Sequence, residues 1–337
     1  MKKILLAAII STLSVPVMAD IEEVNVYSAR KTHLIKPLLD KFSDLYDIKV
    51  NLVTSKADAL LKKLEVEGKN TSADILITTD AGRLHRAKNA GVLQAAITDE
   101  MNSKVAKNLQ DPENYWLALT TRARVIVYAK DRVEVSELSS YEDLTSDKWH
   151  NKICIRSSNN IYNQSLVSSM VARKGEKAAE DWSKGIVKNL ARKPKGGDRD
   201  QIKAVAAGQC DLAVVNTYYL GQMLNGKDQA QKDAANKVAI FWPNQNKQGV
   251  HINISGIAVT KHAKNKKNAQ NLIKFLLSKE SQAWYAKVNN EYPTVKGVEL
   301  SKTLKSWGDF KRDDLDLYKL GLYNNKAVKA MDNAGWR

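Results

Sequence analysis

An alternation of short strands and amphipathic helices over the first ninety residues most constrains the fold of this chain. Apolar patterns predict strands over residues 23–27, 48–53 and 73–77. Helices are predicted between and after them, over residues 36–42, 57–67 and 81–89. Strands that alternate with helices in this way pair largely in parallel, with helices on both faces of the sheet. The chain is therefore predicted to belong to the α/β class.

Two β-prone runs further along the chain indicate how it divides. At 337 residues the chain is longer than one hydrophobic core usually serves. Residues 124–128 and 252–259 read as strands that cross between two lobes. We predict lobe one over residues 20–121 and 250–297, and lobe two over residues 122–249 and 298–337. Each lobe is expected to hold a mixed sheet flanked by helices, with a ligand cleft between the lobes at strand ends and helix N-termini.

The first nineteen residues have the pattern of an export signal. A cationic start at residues 1–3 precedes an apolar run over residues 4–13, and residues 17–19 supply the small side chains of a cleavage site after Ala19. The run is too short to span a bilayer, and Pro16 prevents its extension as a helix, which argues against a membrane anchor or a buried N-terminal helix. We expect a periplasmic protein with no stable membrane insertion.

The predicted periplasmic location decides how the net charge and the two cysteines are interpreted. The net charge of +16 would normally suggest nucleic acid, but the lysines alternate with acids and no nucleic-acid motif is present in the sequence, so no nucleic-acid partner is expected. An oxidising compartment favours a disulfide between Cys154 and Cys210, although two buried free thiols are the alternative.

Tyrosines come after two of the predicted strands. Tyr162 lies shortly after the strand at residues 153–155, and Tyr218 and Tyr219 lie directly after the strand at residues 212–215. A phenolate is a hard anionic oxygen donor that suits Fe³⁺, and three of them neutralise its charge. An adjacent tyrosine pair is also common in an ordinary core, and its spacing alone does not decide between these interpretations.

No catalytic motif is found in the sequence. It contains no nucleophile elbow, no His-Glu-x-x-His, no phosphate-binding glycine loop and no Cys-x-x-Cys. The five histidines show no metal-ligand spacing, and His33 is the one that comes after the first strand and so could face the cleft. We therefore expect a binding protein and not an enzyme.

At the tyrosines the sequence resembles the periplasmic ferric-ion-binding proteins, the substrate-binding components of iron ABC transporters. The similar segments are residues 25–30 (NVYSAR), 72–75 (SADI), 121–128 (TRARVIVY), 156–164 (RSSNNIYNQ), 198–201 (DRDQ) and 216–221 (NTYYLG). The resemblance implies a two-lobed type II periplasmic binding fold in which Tyr162, Tyr218 and Tyr219 bind Fe³⁺. It also implies delivery of the ion to an inner-membrane ABC permease, by a protein that we expect to be a monomer.

Lobe one departs from the family pattern. Where many members place a His or a His-Tyr pair after the first strand, this chain has Lys31 and Thr32, with His33 one position on. Where others place a Glu after the third strand, this chain has Thr79 and then Asp80. His33 and Asp80 are therefore candidates to bind or support the metal.

Carbonate, another small anion or water would fill the remaining positions on the metal. A guanidinium binds a planar oxyanion with two parallel hydrogen bonds, which makes Arg122, or Arg30, the candidate for holding such an anion. The alternatives to iron capture are the same fold carrying an organic or anionic solute and, less favoured, an exported hydrolase or a nucleic-acid or surface-adhesion protein.

Overall fold

A computed structural model describes residues 22–337 of the chain. The predicted signal at residues 1–19, with its cleavage after Ala19, lies outside the described residues. Within residues 22–337, none of the helices has both the length and the apolar character needed to cross a bilayer.

The described chain contains both strands and helices along its whole length. The strands are β1 (Glu23–Ser28), β2 (Lys49–Thr54), β3 (Ile75–Thr79), β4 (Trp116–Ala129), β5 (Ile153–Cys154), β6 (Leu212–Asn216), β7 (Val238–Phe241), β8 (Ile252–Val259) and β9 (Tyr292–Pro293). The helices are α1 (Lys36–Tyr46), α2 (Ala57–Glu67), α3 (Ala81–Asn89), α4 (Asp99–Asn102), α5 (Ile161–Lys174), α6 (Glu176–Lys188), α7 (Asp198–Ala206), α8 (Thr217–Asn225), α9 (Gln229–Asn236), α10 (Lys266–Leu276), α11 (Lys279–Trp284), α12 (Lys302–Ser306), α13 (Tyr318–Leu322) and α14 (Asn324–Asn333).

The strands form a mixed sheet in the order β2-β1-β3-β8-β4-β6-β5, and β7 and β9 also pair with β4. Strand β1 is parallel to β2 and to β3, as the strand–helix alternation predicts. Strand β8 is antiparallel to both β3 and β4, and β6 is antiparallel to β4 but parallel to β5. The mixed α/β architecture is therefore confirmed.

Strand β4 joins the two halves of the sheet. Its first part pairs with β8, from Trp116 to Ala123, and its last part pairs with β6 and β7, from Arg124 onward. Every residue of the strand is buried except Tyr128, which is half-buried, so β4 runs through the interior of the molecule. The predicted lobe boundary at residues 121 and 122 falls inside this strand.

Most early elements match their predictions, and two later ones do not. Helices α2 and α3 and strand β8 have the predicted bounds. The predicted strand at residues 124–128 is only the end of the longer β4. The single helical segment predicted over residues 268–288 is wrong: the chain breaks after α10, Ser278 caps α11 through the Ser281 amide, and a π-helical turn comes next at Tyr285–Asn289.

The two cysteines are joined. Cys154 ends β5, Cys210 lies just before β6, and the structure links them in a disulfide with a Cα–Cα distance of 5.8 Å. This confirms the pairing and leaves no free cysteine among the described residues. The bond joins the two parallel strands whose carboxyl ends carry the tyrosines.

Candidate metal centre

A cleft of about 520 Å³ contains most of the residues that the sequence singled out. Its wall on the β1 side includes Lys31, His33 and Thr79, and its other wall comes from α5, α7 and α8. The remaining lining residues are Ala29, Arg30, Leu34, Arg122, Arg156, Tyr162, Gly197, Asp198, Arg199, Asp200, Lys203, Tyr218, Tyr219, Gln222, Asn289 and Glu291.

The pairing of β5 with β6 brings the three tyrosines together. Because these strands are parallel, with Ile153 opposite Leu212, their carboxyl ends meet at the same edge of the sheet. Tyr162 lies in the first turn of α5, where Asn160 accepts a hydrogen bond from its amide at 3.1 Å. Tyr218 lies in the first turn of α8, directly after β6.

The phenol groups lie close enough to share one small ligand. The Tyr218 hydroxyl donates to the Tyr162 hydroxyl at 3.3 Å, and the ring centroids of Tyr218 and Tyr219 are 4.3 Å apart. Burial and the two neighbouring phenols raise the pKa of the Tyr218 phenol well above its usual value, and the Arg122 guanidinium acts in the opposite direction. Burial likewise raises the pKa of Tyr219. Both phenols are therefore neutral near neutral pH.

Arginines surround the phenol rings. The guanidinium carbon lies 5.6 Å from the Tyr218 ring centroid for Arg122, 5.8 Å from the Tyr162 centroid for Arg156, and 5.1 Å from the Tyr219 centroid for Arg199. Positive charge at this distance stabilises a phenolate relative to a phenol. The same arginines disfavour a metal cation unless the phenolates or an added anion compensate its charge.

A buried carboxylate fixes two of the cations beneath the site. Asp198, at the start of α7, is fully buried and lies 3.2 Å from Arg124 and 3.3 Å from Arg156. It also accepts the Asn216 amide at 2.7 Å, two residues before Tyr218. This carboxylate therefore ties the arginines to the strand end that presents the tyrosine pair.

The two arginines predicted to hold an anion differ in their partners. Both are buried, and Glu291 pairs with each. Burial alone would raise the pKa of Glu291, but the charges of Arg30 and Arg122 together hold it below its usual value. Arg30 also donates to Thr120 at 3.2 Å. Arg122 donates to Ser255 at 2.9 Å, yet its Nε and Nη1 have no hydrogen-bond partner among the described residues. Arg30 leaves only its Nε without such a partner, so Arg122 has two unpartnered buried nitrogens and Arg30 has one.

The two lobe-one candidates lie in different surroundings. His33 is exposed and lines the cleft on the wall that faces the tyrosines. Asp80 is buried and is not among the lining residues: it caps α3 through Gly82 and accepts from Ser165 and Asn253 at 2.8 and 2.7 Å. The structure therefore brings His33 toward the tyrosines, and it places Asp80 in a bridge between α3, α5 and β8.

Some cleft residues were missed by the sequence interpretation. Arg156, Arg199 and Lys203 line the cleft beside the tyrosines. Arg156 comes after β5 and Arg199 lies in the first turn of α7, so the same rule that selected the tyrosines, a position at a strand end or helix start, would have found both. Glu291 had no such signal. Among residues 22–337, no group of three or more His, Cys, Asp or Glu could hold a metal ion.

Comparisons with known proteins agree on one group of relatives. The chain matches the family of bacterial extracellular solute-binding proteins over residues 70–318. It is 45% identical over 316 residues to iron uptake protein A1 of Synechocystis sp., an alignment that covers 94% of this chain and 88% of the relative. It is 29% identical over 292 residues to the major ferric iron-binding protein of Neisseria meningitidis, covering 86% and 85% of the two chains.

Two solved structures of iron-binding proteins also superpose closely on this chain. A Trichodesmium protein, IdiA (FutA), in complex with iron and citrate ligands superposes with a TM-score of 0.91 at 45% identity, covering 94% of this chain and 100% of that one. A ferric binding protein from Campylobacter jejuni superposes with a TM-score of 0.89 at 40% identity, covering 93% and 100%.

Proposed function

The chain belongs to the bacterial extracellular solute-binding proteins, and from that membership we propose that it is a periplasmic ferric-ion-binding protein of an iron transport system. Its fold is the type II periplasmic binding fold of the ferric-binding structures that it resembles. The relatives are named for iron uptake and ferric iron binding, which supports the assignment of Fe³⁺ as the cargo.

One observation carries the proposal: the phenols of Tyr162, Tyr218 and Tyr219 converge on a single cleft. Phenolates are hard anionic donors, and three of them cancel the charge of a ferric ion, which lowers the cost of enclosing it. We assign the three tyrosines as the protein ligands. Carbonate or another small anion, held by the free N–H groups of Arg122, completes the coordination with Arg30 behind it.

The two lobe-one candidates receive separate roles. His33, exposed on the facing wall, approaches the cargo when the cleft closes. Asp80 supports the site from behind, because its carboxylate links α3 to Ser165, one turn along α5 from Tyr162. Neither role requires a change in the fold.

The protein captures the ion in the open cleft, closes by movement of the lobes about β4 and β8, and hands the ion to an ABC permease. Closure requires only that the cargo bind the closed state more tightly than the open one. The cargo is bound through coordination bonds and released again without conversion to another compound, so the chain acts as a binding protein and not as an enzyme. We propose that it does so as a monomer.

The test is the colour of the iron-loaded protein. Phenolate-bound Fe³⁺ gives a visible charge-transfer band, and we expect this band on addition of a ferric chelate to the purified protein. Changing Tyr162, Tyr218 and Tyr219 together to Phe should abolish both the band and the bound iron. Tyr323→Phe, at the start of α14 and away from the cleft, is the matched control and should retain both. Iron binding and colour in the triple variant would refute the assignment.

A further inference from the structure

Five exposed lysines lie together at one end of the molecule. Four of them come between the end of β8 and the first turn of α10, and the fifth lies in the turn after α2. The two turns are neighbours, because Gly68, Lys261 and His262 line the same small cavity. We call this surface the basic corner, and its members are Lys69, Lys261, Lys264, Lys266 and Lys267.

The basic corner lies at the opposite end of the sheet from the cleft. The cleft residues Arg30 and Thr79 come at the carboxyl ends of the parallel strands β1 and β3. Strand β8 is antiparallel to β3, and the amide of Thr260, just after β8, donates to the carbonyl of Asp74, just before β3, at 2.9 Å. At about 3.3 Å per residue, β3 separates Asp74 from Thr79 by about 17 Å.

Hydrogen bonds fix the turn that carries four of these lysines. The carboxylate of Asp74 accepts the backbone amide of Asn265 at 2.8 Å and its side-chain amide at 3.0 Å. The amide of Lys261 donates to the carbonyl of Val92 at 2.8 Å. The backbone of the turn is therefore held against the sheet, while the lysine side chains extend into solvent.

Acids do not balance the charge of the basic corner. The sequence contains no acidic residue between Asp233 and Glu280. The acids close in the fold are Glu22, Asp74 and Glu65, of which Asp74 is fully buried and Glu65 pairs with Lys62. With Lys62 included, six lysines stand against these three acids, which leaves a local excess of positive charge.

Basic residues at the other end of the strand order are partly neutralised. Near the start of β6, Arg132 pairs with both Asp131 and Asp211, and Lys152 also pairs with Asp211. None of the five lysines of the basic corner forms such a pair with another of residues 22–337. The positive charge at the corner is therefore available to an external anionic partner.

We propose that the basic corner binds the anionic headgroups of a phospholipid bilayer and holds the protein reversibly at the membrane surface, with the cleft directed away from the lipid. Its cations are all lysines, flexible point charges that suit a surface of many headgroups, whereas a fixed anion is usually held by the planar fork of arginine. This inference does not depend on iron as the cargo, because no residue of the corner lines the cleft.

The experiment is co-sedimentation of the mature protein with phospholipid vesicles. The vesicles consist of phosphatidylcholine alone or of phosphatidylcholine with about 30% phosphatidylglycerol, since attraction to basic segments depends on anionic lipid. We expect binding to the anionic vesicles at low salt, binding at least about tenfold weaker to the neutral ones, and release from the anionic vesicles at high salt.

Charge removal then locates the binding surface. Each lysine near an anionic bilayer contributes about fivefold to the affinity. Removing three of them should therefore weaken binding to the anionic vesicles by about a hundredfold. The triple variant is Lys264→Gln, Lys266→Gln, Lys267→Gln.

The matched control removes the same charge at three exposed lysines outside the corner and the cleft. It is Lys227→Gln, Lys302→Gln, Lys329→Gln, and it should bind the anionic vesicles within about twofold of the native protein. Both triple variants should develop the charge-transfer band with a ferric chelate as the native protein does. Native protein already bound to anionic vesicles should also take up iron fully, because its cleft faces away from the lipid.

The possible results separate the proposal from its competitors. Equal weakening in the two triple variants would show that only net charge matters, and equal binding to neutral vesicles would exclude the headgroup charge; either result would overturn the proposal. Binding of soluble polyphosphate through the same lysines, without binding to anionic vesicles, would overturn it in favour of a soluble polyanion. Iron uptake that is blocked on vesicles would overturn the proposed orientation. Loss of colour in all the proteins would refute the proposed function and would leave the vesicle result standing.

Discussion

At the scale of single residues, Asp198 is the carboxylate on which the cations beneath the tyrosines depend. It is fully buried between Arg124 and Arg156. Removing its charge by Asp198→Asn leaves two guanidinium groups without their counter-ion, and we expect the free energy of unfolding to fall by about 3–5 kcal/mol in urea denaturation. Asp200→Asn, at an exposed capping residue of the same helix, should cost well under about 1 kcal/mol, because the amide oxygen of Asn can still accept the Gly197 amide. Equal losses in the two variants would contradict this role of Asp198.

Single phenol groups also determine how iron binding depends on pH. Burial raises the pKa of Tyr218 and Tyr219, so both enter the reaction protonated and must lose a proton to bind iron as phenolates. Affinity should therefore rise with pH and fall as the solution becomes more acidic. A pH-stat titration with one ferric donor should record about one proton fewer per bound iron for Tyr218→Phe than for the native protein. The same proton count in both proteins would show that Tyr218 does not bind as a phenolate.

At the scale of elements, the local hydrophobic pattern predicted the strands and helices that bury a single apolar stripe or a single apolar run. Helix α2 and strand β8 have their predicted bounds because one apolar stripe or one continuous apolar run defines each. Strand β4 was recognised only in part, because two arginines interrupt its apolar pattern. Arg122 and Arg124 are buried there only because Glu291 and Asp198, distant in sequence, supply their counter-charges. No local pattern contains that information.

The candidate site, like the secondary structure, could be predicted from the sequence only in part. The positions of Tyr162 and Tyr218 after β5 and β6 could be predicted, because the carboxyl ends of neighbouring parallel strands meet. The part played by Glu291 could not, since it depends on a π-helical turn at Tyr285–Asn289 that the periodicity does not reveal. That turn precedes Asn290, whose φ of 55° lies in the left-handed region.

Close packing of helix α8 against this turn gives a prediction for the element that carries the tyrosine pair. A Cβ at Gly221 would lie 2.7 Å from the Cβ of Asn290, and neither atom belongs to a flexible end. Gly221→Ala should therefore displace α8, lower the free energy of unfolding by about 1–3 kcal/mol and weaken iron binding, as followed by urea denaturation and by the charge-transfer band. Adding Asn290→Gly removes the colliding group and suits the positive φ, so the double variant should recover both properties. A double variant no better than the single one would exclude this contact as the cause.

At the scale of the whole molecule, two crossing strands and one disulfide organise the chain. The crossings at β4 and β8 and the pairing of Cys154 with Cys210 were all expected from the sequence, although the full length of β4 was not. The disulfide lies at the β5 end of the strand order, whereas the β1 wall of the cleft lies toward the other end. It therefore constrains the half of the molecule that carries all three tyrosines.

This position separates the effect of the disulfide on stability from its effect on binding. The bond closes a chain segment of 56 positions, and replacing both cysteines by Ser should lower the free energy of unfolding by about 4 kcal/mol, because the unfolded chain gains that freedom. The β5–β6 pairing that aligns Tyr162 with Tyr218 does not depend on the bond, so the folded double variant should retain the charge-transfer band. Urea denaturation of the native protein with and without a thiol reductant provides the control: the reduced native protein should match the double variant, and the variant itself should not respond to the reductant. An unchanged free energy of unfolding would show that the disulfide does not stabilise the folded protein. Loss of colour in the folded variant would show that the disulfide aligns the tyrosines directly.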